Sequence, residues 1–170
     1  MKPDSDNSVG AAASTFIDAE LDTERDRKSS LESRGLGVIT TSGTLVTLLF
    51  ALAALVTQVS GFSPTNLTRS FLAGAAIFFV VAAVFGIWCN TPIPYFQVDP
   101  ASLVVLVEPS TWIEDGVDAR RELAAARLAE LADSRARNES KARLLAIAVV
   151  GEVLGIAMTA TGILSVLLPH

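Results

Sequence analysis

Residues 144–168 read LLAIAVVGEVLGIAMTATGILSVLL, an apolar run interrupted by one ionisable side chain, Glu152. A bilayer core ~30 Å thick takes about 20 mostly apolar residues to cross as an α-helix, and this run is long enough. Two more runs fit the same description. Residues 36–59 read LGVITTSGTLVTLLFALAALVTQV and residues 71–89 read FLAGAAIFFVVAAVFGIWC, and neither carries a charge. The expected fold is an all-α membrane protein with three transmembrane helices.

Working outward from the last run, no Gly or Pro interrupts residues 117–150. The last helix is therefore expected to run, long and unbroken, from the cytosol into the membrane. Asp133 with Arg137, and Glu139 with Arg143, are four-apart pairs that add about 0.3 kcal/mol each to such a helix. Val117, Ala124, Leu128 and Leu131 form one narrow apolar stripe, which should pack on another helix, either the N-terminal one or one from a neighbouring subunit.

The remaining segments follow from composition. Residues 1–13 are small and polar and read as a disordered tail. Residues 14–35 are densely charged helix formers, with Ser14 or Thr15 as a cap. They read as a helix at the cytosolic face or one continuing straight into the first span. Residues 60–70 form an outer loop, turned at Ser63-Pro64. Asn90-Thr91-Pro92-Ile93-Pro94 stops the second span, because proline cannot continue a helix. Residues 90–143 form a helical cytosolic loop. Within it Asp99-Pro100 starts a short helix over 103–107, and Thr111-Trp112-Ile113-Glu114 fits a capping box.

Basic residues set the orientation. Of 13 Lys and Arg, Arg69 alone falls in the outer loop, and the others precede the first run or lie between the second and third. Positive residues near membrane ends stay cytoplasmic. The N-terminus is expected inside an inner membrane and the C-terminus outside.

Bulk composition excludes several classes. The hydrophobic fraction is 51% and the mean hydropathy +0.48, and the residues left for water are too few for a sizeable separate core. A net charge of -5 argues against a nucleic-acid binder of the basic-patch kind. One cysteine, Cys89, and one histidine, His170, give no disulfide framework and no metal cluster. No nucleophile–base pair or carboxylate pair stands in a plausible pocket, so neither an enzyme nor a cofactor is expected.

Three groups of residues invite a functional reading. Glu152 lies nine residues past Arg143, about 14 Å deeper at 1.5 Å per residue. An ionisable group at that depth should face protein or water. Either it hydrogen-bonds to Thr40, Thr41 or Thr44 on the first span, or it serves an ion or proton pathway. Gly151, Gly155, Thr159 and Gly162 form a small-residue row that lets helix backbones approach closely, within one subunit or between subunits. A similar row on the first span comprises Gly37, Thr40, Thr44, Thr47 and Ala51. Finally, Arg120, Arg121, Arg135, Arg137, Lys141 and Arg143 either contact an anion or simply carry the orientation signal.

The layout resembles a known family. A charged helix leads through Arg34-Gly35 into a first span containing Gly43. A tight outer hairpin and a helical inner loop follow, and Asn138-x-x-Lys141-Ala142 feeds the last span. This arrangement is similar to the small membrane effectors of Pycsar-type and related antiphage cyclic-nucleotide systems, in architecture more than in motif. The resemblance implies a role in antiviral defence, binding a cyclic nucleotide on the cytosolic side and disrupting the inner membrane. The residues themselves leave two other roles open. One is an anchor that docks a cytosolic protein partner through residues 117–143. The other is an ion or proton pathway through Glu152. Self-association in the lipid bilayer is expected for the effector and pathway roles.

Overall fold

A computed structural model describes residues 4–58, 65–91 and 116–167. They form three α-helices: α1 (Asp4–Gln58), α2 (Asn66–Asn90) and α3 (Gly116–Leu167). Each contains a window of 18 residues apolar enough to cross a membrane, with mean hydropathy 2.0, 2.4 and 2.0 in chain order. The described residues are thus all helical, with three helices each long and apolar enough to cross a membrane, as suits a small multi-pass membrane protein.

Helix α1 is continuous from Asp4 to Gln58: residues 14–35 run straight into the first span, one of the two readings above, and residues 4–13, whose composition reads as a tail, are helical. No proline lies between Asp4 and Gln58, and Ala11, Ala12 and Ala13 favour helix. Thr15 therefore lies inside the helix instead of capping it, and its hydroxyl donates to the Ala11 carbonyl (2.9 Å). Helix α2 starts at Asn66, inside the segment expected to be loop. Thr65 caps it, its Oγ1 accepting from the Thr68 N–H at 3.2 Å. The Thr91 N–H donates to the Trp88 carbonyl at the other end (3.3 Å), and Pro92 follows. Helix α3 is unbroken, in keeping with the absence of proline from it and of glycine from 117–150. The turn at Ser63-Pro64, the helix at 103–107 and the capping box at 111–114 lie outside the described residues.

Packing divides the chain into two units. The charged unit comprises Met1–Ser29 and Pro92–Glu139, and the apolar unit comprises Ser30–Thr91 and Ser140–His170. In the charged unit α1 and α3 run parallel. Asp18 pairs with Arg127 (2.8 Å), Glu24 with Arg135 (3.2 Å) and Glu139 with Arg27 (3.6 Å), so partner numbers rise together. Leu21 and Leu131 are buried in this unit.

In the apolar unit α2 runs antiparallel to α3. Thr68 Oγ1 and Ser165 Oγ are 2.8 Å apart at one end, and Cys89 Sγ lies 3.6 Å from the Lys141 carbonyl at the other. Between these ends the glycines of α3 make room for α2. A Cβ on Gly155 would lie 2.6 Å from the Phe79 ring, and one on Gly151 3.4 Å from Ala82 Cβ. Helix α1 approaches α2 through Gly35 and Gly86, where a Cβ on Gly86 would meet the Gly35 carbonyl at 3.2 Å. Val38, Ala82, Cys89, Leu145 and Ala148 form the shared core.

Candidate functional site

The carboxyl of Glu152 sits on the α3 face that packs into the apolar unit. Its Oε1 is buried and has no hydrogen-bond partner. The expected bonds to Thr40, Thr41 and Thr44 are absent. Each of those hydroxyls donates to the carbonyl four residues back, Leu36, Gly37 and Thr40 respectively, at 2.9–3.0 Å. All three are exposed. In a helix this back-bond satisfies the hydroxyl without a second helix, so nothing draws these residues toward Glu152. The α1 hydroxyl that does turn inward is Ser42. It is 0% exposed, and its Oγ is also buried without a partner.

The two small-residue rows differ in use. On α3, Gly151 packs on Ala82 and the Phe78 carbonyl, Gly155 on Phe79, and Gly162 on Phe71 and Leu72. Thr159 lies in the same row and donates to the Gly155 carbonyl (2.9 Å). This row packs helices within one chain. On α1, by contrast, Gly37, Thr40, Thr44, Thr47 and Ala51 are all exposed. A Cβ on Gly37 or Gly43 would meet nothing within 4 Å.

The basic residues are largely engaged with carboxylates. Arg135 donates to Glu24 (3.2 Å) and to Glu20, Arg137 to Asp133 (2.7 Å), and Lys141 to Glu32 (2.5 Å). Arg121 and Arg143 are exposed, and Arg120 lies on α3 with its side chain outside the described ones. Three of the six candidate anion contacts, Arg135, Arg137 and Lys141, are thus paired with carboxylates. Sequence reading also missed a buried polar knot. Asn138 is buried and donates to the Glu24 carbonyl (2.9 Å) and to Glu24 Oε2 (2.8 Å). The signal was the matched spacing of Glu20 and Glu24 with Arg135 and Asn138, which becomes readable once α1 and α3 are aligned in parallel.

Among the described residues no cluster of three His, Cys, Asp or Glu side chains is placed to hold a metal. No protein-family model, curated protein or solved structure matches the chain.

Proposed function

We propose that this chain is a non-enzymatic, self-associating inner-membrane protein that acts as a cytosolically gated membrane effector or pore former. The observation that carries the reading is the exposed row on α1. Small residues let helices in lipid approach closely enough for backbone packing. The row on α3 is used in this way against α2, whereas the α1 row finds no counterpart among the described residues. A second copy of the chain supplies one. The distribution of Lys and Arg supports an orientation with the N-terminus and the charged unit in the cytosol and the C-terminus outside. A cyclic nucleotide is the gating ligand that the resemblance to antiphage effectors implies. Expression in cells with and without cyclic nucleotides tests the reading. Loss of membrane potential with a nucleotide supports it, and a steady potential with every nucleotide contradicts it.

A second reading rests on the charged unit. Leu123 and Leu128 are exposed there beside Ala126 and Ala129 on α3, which suits a cytosolic protein docking on an anchor. A third rests on Glu152 as part of an ion or proton pathway, and its orphaned Oε1 favours it.

A further inference from the structure

The buried oxygens of Ser42 and Glu152 have no partner among the described atoms, and the helix register puts them at one depth. Glu32 and Lys141 are bonded across the same two helices. Ser42 lies ten residues beyond Glu32, and Glu152 eleven beyond Lys141, on helices that run the same way. At 1.5 Å per residue the two positions differ in depth by about 1.5 Å. Each also stands one helical turn beyond a member of the shared core, Val38 for Ser42 and Ala148 for Glu152.

This level is also where α1 leaves the contact. Among the described side chains of α1, Ser42 is the last buried one, and those from Gly43 to Leu55 are half-buried or exposed. Around the level stand Ala82, Phe78 and Phe79 of α2, which offer no side-chain hydrogen bond. A polar atom held in such surroundings without a partner costs about 1–3 kcal/mol. Two at one depth share one economical remedy.

We propose that Ser42 and Glu152 form a single polar site within the membrane that binds water. A water molecule can donate to the carboxyl oxygen and exchange a hydrogen bond with the hydroxyl, meeting the two or more polar partners that a buried water requires. A hard metal cation asks for six or more oxygens, far beyond what these two side chains supply. The site is independent of the α1 row, which lies on the exposed face of the same helix, and so it does not rest on the proposed self-association.

The test is solid-state NMR on the full chain in lipid bilayers, with carbon-13 in glutamate, alanine and valine, reading magnetisation passed from water. The Glu152 carboxyl signal is assigned by its disappearance in Glu152→Gln. We expect this carbon to receive water magnetisation at short mixing times, while Ala148 and Val153 do not. Ser42→Ala should lose most of the transfer and Ser42→Thr should keep it. The Ala82–Ala148 cross-peak reports that each variant is folded, and if Ser42→Ala lacks it, Ser42→Cys is read in its place with the same expected loss. A Glu152 carboxyl as dark to water as Ala148 overturns the proposal. So does full transfer in a folded Ser42→Ala or Ser42→Cys protein, because water would then reach the carboxyl without the serine.

Discussion

Lys141 Nζ lies 2.5 Å from Glu32 Oε1, and Lys141 is 2% exposed while the Glu32 side chain keeps 33%. A buried ammonium is thus joined to a carboxylate that water still reaches. The pair links α1 to α3 where both sequences pass from charged to apolar. Such a pair holds helices in register more than it adds net stability, because desolvating the charges offsets much of their attraction.

Breaking the pair from one side should therefore be costly. Glu32→Gln leaves the Lys141 charge buried without its carboxylate, and we expect a loss of about 3 kcal/mol, at the low end for broken buried pairs because Glu32 is partly solvated. Lys141→Met keeps the volume and removes the charge, and should cost much less. The double variant should be more stable than Glu32→Gln alone. Thermal unfolding in detergent, followed by circular dichroism, ranks the three.

Contact between α2 and α3 depends on Gly155. A Cβ there meets three ring carbons of Phe79 at 2.6–3.0 Å, and Phe79 is 1% exposed, so the ring has little room to move. Gly155→Val should cost about 1–3 kcal/mol by overpacking. Pairing it with Phe79→Leu should recover part of the loss. Equal destabilisation in the single and double variants would show that the helices do not meet there.

Leu128 and Leu131 belong to one sequence stripe but differ in role. Leu131 is 5% exposed and Leu128 is 56%. Leu131→Asp buries a charge in the charged unit and should loosen it, seen as faster hydrogen exchange across 14–29. Leu128→Asp should leave exchange unchanged. If a cytosolic protein docks on this face, Leu128→Asp alone should abolish its recovery.

Much of the fold is legible in the sequence because lipid imposes a simple demand. A crossing helix must be long, apolar and internally bonded, and three runs satisfy that. The continuity of α3 over 117–150 follows from the absence of Gly and Pro there, and the row from Gly151 to Gly162 marks a close contact that α2 fills. The inward-facing hydroxyl of α1 was harder to read. Thr40, Thr41, Ser42 and Thr44 are chemically alike and adjacent, and only the rotation of α1, set by Val38 in the core, selects Ser42 as the inward one. Polar pairing between Glu24, Arg135 and Asn138 is equally invisible until the parallel register of α1 and α3 is known. At the N-terminus, composition suggested disorder, yet the alanines extend the helix to Asp4.

Self-association through α1 is the claim on which the proposed function turns, and native mass spectrometry of the protein in lipid nanodiscs addresses it most directly. The account predicts assemblies of two or more copies. Gly37→Val and Gly43→Val, which enter open space in the single chain, should convert these to single copies without lowering thermal stability in detergent. Single copies of the unaltered protein at every concentration, or assemblies indifferent to both valines, would contradict it.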